Sequence, residues 1–142
     1  MRIIAGPCQH ESLAQSVAIA ETCARVCSKY DIEYYFKASY DKANRTSVNG
    51  KRGLGLARTM QDFEIMKQEI PSLKTLTDVH TSSQINVMGA YPDAVDVLQI
   101  PAFLCRQTDL IQAACATDKI VNIKKGQFLA PWDIAGILSK CK

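Results

Sequence analysis

The chain reads as an α/β fold built on a parallel sheet. Short apolar or β-branched runs alternate five times with longer amphipathic segments. A helix separates each strand from the next, so the crossover returns the chain to the same edge and the strands run parallel. The runs are close to continuously apolar, which suits a sheet covered on both faces.

The first strand is Arg2–Ala5, closed by Gly6-Pro7, and it leads into a helix over Ser12–Lys29. On that helix Cys23 and Cys27 lie four apart among alanines and valines, a spacing that assigns them to the core. The second strand is Tyr34–Ala38. It is followed by the least regular stretch of the chain, Asp41–Gly55, which is rich in Asn, Arg, Lys and Gly and too long for a simple βα turn. A helix over Leu56–Glu69, a strand over Leu73–Val79 and a helix over Ser82–Gly89 come next. Val95–Ile100, Thr108–Ala116, Ile120–Ile123 and Trp132–Lys140 complete the alternation as strand, helix, strand and helix. Two architectures accommodate it: a doubly wound open sheet, complete with five units, or a (β/α)8 barrel represented by five of its eight units. Periodicity does not choose between them.

Composition narrows the function class. The 142 residues are 47% hydrophobic and 22% charged, the ordinary range of a single globular domain. The net charge of +3 is scattered along the chain, so neither a nucleic-acid footprint nor a polybasic membrane surface is expected, and small anions are the expected partners. There is no apolar run long enough for a membrane span, and the first residues lack the apolar stretch of a secretory signal, so a cytoplasmic location is expected. The six cysteines, Cys8, Cys23, Cys27, Cys105, Cys115 and Cys141, are then expected as free thiols.

Residues able to do chemistry gather at strand ends. Lys37 and Ser39 are two apart and share one face of the second strand, with Phe36 and Ala38 on the other. Lysine and serine so placed can grip a carboxylate or phosphate, unless Lys37 simply reaches solvent. The loop adds Lys42, Asn44, Arg45, Thr46 and Ser47, a set suited to phosphate and sugar hydroxyls. On the fourth strand Val95, Val97 and Gln99 fall on one face, and Pro101-Ala102-Phe103 and Arg106 follow. On the fifth, Asn122 shares its face with Lys124, so Lys124 is expected in the site and Lys125 outside it. Asp78 and His80 end the third strand, where Asp78 is either a site residue or the cap of the next helix. Cys8 is either a metal ligand or a small buried hydrophobe, and His10, two residues on, is either a second ligand or, as is usual for a loop histidine, solvated.

The motifs Ile4-Ala5-Gly6-Pro7-Cys8 with Glu11-Ser12, Phe36-Lys37-Ala38-Ser39 through Ser47, Thr77-Asp78-Val79-His80, Gln99 through Leu110, and Asn122-Ile123-Lys124-Lys125-Gly126-Gln127-Phe128 occur in order. Together they resemble the 3-deoxy-D-manno-octulosonate 8-phosphate synthases. The related synthases of a seven-carbon aromatic precursor and of sialic acid share the chemistry, but Lys42-Ala43-Asn44-Arg45 and Pro101-Ala102-Phe103-Leu104 favour the octulosonate group.

The resemblance implies the N-terminal part of a (β/α)8 barrel of the TIM type, about five βα units in one domain, from a homotetrameric cytoplasmic enzyme that joins phosphoenolpyruvate to arabinose 5-phosphate. It implies that Lys37, Ser39 and Lys42 hold the phosphoenolpyruvate carboxylate, and that Ala102, by its backbone, and Lys124 hold its phosphate. Asn44, Arg45 and Thr46 would take the sugar, Thr46 standing where the family usually has Ser. Arg106 would reach the sugar's phosphate from a neighbouring subunit, and Gln99 and Asp78 would line the space between substrates. Lys42, Asn44 and Asp78 are the implied catalytic residues. A divalent metal is implied as cofactor, with Cys8 as ligand, because the position after Gly-Pro is Cys in the metal-dependent branch and Asn in the other. The family's remaining ligands, a His, a Glu and an Asp, have no counterpart in these units. Five units by themselves are therefore expected to be catalytically incomplete, the alternative being an inactive half-barrel that only binds phosphate.

Overall fold

The computed structural model describes Met1–Cys141. Its strands are β1 (Arg2–Gln9), β2 (Glu33–Ser39), β3 (Lys74–Asp78), β4 (Val97–Ile100) and β5 (Ile120–Ile123). Its α-helices are α1 (Leu13–Lys29), α2 (Leu56–Glu69), α3 (Ser82–Met88), α4 (Thr108–Cys115) and α5 (Ile134–Leu138). All neighbouring strands pair in parallel, and their order is β1-β2-β3-β4-β5. A doubly wound sheet reverses its order at a switch point, whereas a barrel adds each strand to the same edge. The unreversed order therefore makes this sheet an arc of a barrel.

The helix-side face carries the main core. Phe36, Ala38, Met60, Phe63, Met66, Leu98 and Ile100 are buried there. Phe36 meets Phe63 edge-on at a centroid distance of 5.7 Å. The opposite face holds a smaller cluster of Tyr35, Leu76 and Val97. Cys27 is buried and Cys23 half-buried against the main core, as their spacing on α1 implies, and all six cysteines are free. Among the described residues no helix is long and apolar enough to cross a membrane.

Three departures from the sequence reading have local causes. β4 begins at Val97, because the Asp96 carboxylate accepts from Thr75 N at 2.7 Å and pairs with Lys67 at 2.9 Å, bending the chain just before the strand. Val95 consequently packs on the helix side with Leu98 and Ile100, and not in a row with Val97 and Gln99. The expected helix over Trp132–Lys140 is broken into a 3-10 turn at Pro131–Asp133, the short α5, and a second 3-10 turn at Ser139–Cys141.

The third departure shapes the site. β1 runs four residues past Ala5, and its register with β2 steps from Ala5↔Phe36 to Cys8↔Ala38, so three positions on β1 match two on β2. One extra residue is thus accommodated in a bulge, with Cys8 at φ 68°. Gly6 is required there, since a Cβ would sit 2.0 Å from the Lys37 carbonyl oxygen.

Candidate active site

The C-terminal ends of the strands bring most of the expected residues together. Lys37 and Ser39 project from one face of β2, and Lys42 folds back from the loop, so that both ammonium groups donate to the Ser39 hydroxyl, at 3.3 and 2.7 Å. Two like charges converging on one neutral group form a site that an anion stabilises. Burial, and next the charge of Lys42, pull the Lys37 ammonium below its ordinary pKa; Asp78 and Cys8 oppose this, and Lys124 adds to it. Lys124 continues from β5 beside β4, its N–H donating to Ile100 O at 3.0 Å. Lys125 instead donates to the carbonyls of Gly126 at 2.8 Å and Leu129 at 2.7 Å, outside the site, as the strand alternation implies.

Asp41–Gly55 is tied down at its base. Arg52 clamps Asp41 through both carboxylate oxygens, Lys42 N donates to Arg52 O at 2.7 Å, and Gly55 N donates to Tyr40 O at 3.1 Å. Gly53, at φ 115°, lies so close to Tyr40 that a Cβ would be 2.4 Å from its carbonyl oxygen. These contacts aim Lys42 into the site. Further out Arg45 donates to Gln9 Oε1 at 2.8 Å and to Lys51 O at 3.2 Å, while Asn44 and Thr46 are exposed.

Cys8 is exposed at this mouth. The nearby Lys42 ammonium lowers its thiol pKa most; partial burial opposes the shift, and the charges of Lys37 and Arg45 add to it. Its exposure overturns the alternative of a small buried hydrophobe.

Asp78 is not the cap of the next helix. Thr81 caps α3, in a reciprocal box with Gln84. The Asp78 carboxylate instead meets His80 Nε2 at 2.9 Å, leaving its Oδ1 and His80 Nδ1 buried without a partner. Burial acts to raise the Asp78 pKa, but the His80 imidazole, the nearby Ser39 hydroxyl and the charge of Lys37 outweigh it and hold the group at about 2. A pKa lowered on folding contributes stability that is present above the ordinary 3.8 and is lost as pH falls through about 2. The stability difference between wild type and Asp78→Asn should therefore shrink by about 2 kcal/mol between pH 4 and pH 2. Unfolding titrations at each pH measure it, and a constant difference would contradict the assignment.

Gln99 accepts from Asn122 Nδ2 at 3.0 Å across β4 and β5, so the two amides form one polar row beside the lysines. Ala102 is in the 3-10 turn after β4 and lies against Gly126, where a Cβ would come within 3.2 Å of Ala102 O. Arg106 stands apart: it is exposed, lines a surface depression with Leu129, Asp133 and Lys140, and its carbonyl accepts from Lys140 at 2.9 Å.

Two residues contradict or escape the sequence reading. His10, expected to be solvated, is fully buried on the helix side. Gln9, not singled out, enters the site and holds Arg45. Both follow from the bulge, because one extra residue exchanges the faces to which successive side chains point. The Gly6-Pro7 pair was the only local signal of it. Among the described residues no three His, Cys, Asp or Glu side chains converge as a metal site.

Comparison with known proteins places this geometry in a family. The model of the DAHP synthetase I family matches residues 1–142. The chain is 51% identical over 140 residues to a 2-dehydro-3-deoxyphosphooctonate aldolase of Nitrobacter hamburgensis, covering 99% of this chain and 47% of that protein. Proteins of the same name from Rickettsia canadensis and Caulobacter vibrioides are 50% and 48% identical, with 99% of this chain and 50% and 47% of theirs covered. The chain spans about half the length of the curated relatives it matches. With its unreversed parallel sheet and its lysines gathered at the strand ends, the chain belongs to the DAHP synthetase I family.

Proposed function

We propose that the protein to which this chain belongs condenses phosphoenolpyruvate with arabinose 5-phosphate and water, yielding 3-deoxy-D-manno-octulosonate 8-phosphate and inorganic phosphate, a step toward lipopolysaccharide. The observation that carries this reading is the convergence of Lys37 and Lys42 on Ser39, with Arg45 held on the adjoining loop. Such an array accommodates two anionic substrates side by side. The relatives' name, an aldolase of 2-dehydro-3-deoxyphosphooctonate, supports it, since that name describes the same carbon–carbon bond read toward cleavage.

Lys37, Ser39 and Lys42 hold the phosphoenolpyruvate carboxylate, and the Ala102 backbone with Lys124 holds its phosphate. Asn44, Arg45 and Thr46 hold the sugar. Arg106, outside the cluster in a single chain, reaches the sugar's phosphate across a subunit boundary, which makes a homotetramer part of the reading. C3 of phosphoenolpyruvate then bonds to the aldehyde carbon while a water oxygen bonds to C2. The C2–O bond to phosphorus breaks as inorganic phosphate leaves and C2 becomes a ketone. Lys42 and Asn44 polarise the aldehyde oxygen, which gains a proton, while Asp78 and Gln99 line the space between the reactants. Holding both in register lowers the barrier by about 7–11 kcal/mol at best, and the lysines offset the repulsion between two phosphorylated partners. Cys8 would be one ligand of a divalent metal, which would supply Lewis acidity toward the aldehyde or the water. A cytoplasmic location accompanies this reading, supported by six free thiols.

The test follows inorganic phosphate release by the full chain. Release is expected only with both substrates present, to fall sharply when a four-carbon aldose phosphate replaces arabinose 5-phosphate, and to be abolished by a chelator or by Cys8→Ala. Release from phosphoenolpyruvate alone, or equal use of the four-carbon sugar, would sink the substrate assignment. Indifference to chelator would remove the metal.

A further inference from the structure

The core contains a buried polar trio, His10, Ser16 and Asp62, with no part in the chemistry just described. His10 has no exposed surface, and its two ring nitrogens lie 2.8 Å from Ser16 Oγ on α1 and 2.8 Å from Asp62 Oδ2 on α2. Its ring also meets Phe63 edge-on at 5.7 Å. Ser16 and Asp62 are themselves buried, and Asp62 faces the Arg58 guanidinium at 3.0 Å. One imidazole thus ties the end of β1 to two helices.

We infer that His10, with Ser16 and Asp62, is a positioning lock for Arg45, acting through the register of the β1 bulge and through Gln9. Pairing restarts at Cys8↔Ala38 and Gln9↔Ser39, and His10 N donates to Ser39 O at 2.9 Å. In this register Gln9 shares the inner face with Ser39 and His10 points outward to the helices. Removing the extra residue of the bulge would slip the register by one and exchange the two side chains. His10 would then leave Ser16 Oγ and Asp62 Oδ2 behind, two buried polar atoms stripped of the partner they have here, which is destabilising even with Arg58 on the other carboxylate oxygen. The trio therefore favours the one register that brings Gln9 inside, where it is 5% exposed and accepts from Arg45 Nη2 at 2.8 Å. The remaining Arg45 hydrogen bond is to Lys51 O within the same loop, so Gln9 is its tie to the sheet. His10 itself touches no reacting atom.

The placement of Arg45 is a property of the free protein; only its consequence for arabinose 5-phosphate rests on the proposed function. Two readouts on the full chain separate them. The first is the exchange of the Arg45 side-chain N–H signals with water by NMR, with no substrate present. Slow exchange is expected in the wild type and fast exchange in both Gln9→Ala and His10→Ala. The second is the KM for arabinose 5-phosphate, expected to rise about 10- to 100-fold in each variant while the KM for phosphoenolpyruvate changes little. The double variant is expected to be no worse than the poorer single one, because both act through the same contact. Should His10→Ala not fold, Ser16→Ala and Asp62→Asn each weaken one side of the lock and are read in the same way. Faster Arg45 exchange in a protein without the proposed activity would uphold the lock and refute the function. A His10 variant that is less stable but retains slow Arg45 exchange would make the trio ordinary core and overturn the inference, as would additive effects on KM in the double variant.

Discussion

Lys42→Met is expected to lower kcat/KM by about 10²- to 10³-fold, the scale of losing one preorganised charged donor from a catalytic site. Lys42 donates to Ser39 at 2.7 Å, adds its charge to that of Lys37, and lowers the Cys8 thiol pKa. Lys42→Arg should recover little, because a planar guanidinium does not replace a point charge that fits one hydroxyl. A second readout needs no substrate. With Lys42 gone the Cys8 thiol loses the main cause of its lowered pKa, so its alkylation at neutral pH should slow. Unchanged alkylation together with unchanged turnover would show that Lys42 does not act at this site.

Gly6→Ala is expected to give the largest loss of stability of any single methyl addition at the glycines, about 3 kcal/mol or more. Its Cβ would lie 2.0 Å from the Lys37 carbonyl oxygen and 2.8 Å from the carbonyl carbon, both backbone atoms that cannot rotate aside. Relief requires β1 and β2 to part where Lys37 and the bulge meet, so activity should be lost along with stability. Gly136→Ala is the control, since a methyl there meets nothing within 4 Å and Gly136 lies within α5. That change should be neutral or slightly stabilising. Chemical denaturation of the two variants measures the contrast, and similar midpoints would mean that the close approach at Gly6 does not constrain the strands.

Much of this molecule is determined by local pattern. The five strands and their helices follow from runs of apolar residues and their spacing, and Lys37, Ser39 and Asn122 take the faces that strand alternation assigns them. Alternation is a property of the extended backbone and needs no tertiary partner. Strand order is different, because parallel strands joined by helices satisfy their hydrogen bonds in either an open sheet or a barrel. The motifs favoured the barrel, and the paired register from β1 to β5 decided it.

The bulge is where local pattern failed. Counting by twos from Ile3 and Ala5 keeps Gln9 on the helix side and sends His10 into the site, and one extra residue reverses both. Whether a strand accommodates that residue depends on what its neighbours offer: space beside the Lys37 carbonyl for Gly6, and Ser16 and Asp62 waiting behind the sheet for His10. Those partners lie 6 and 52 residues away along the chain, so only the packed structure brought them to the imidazole.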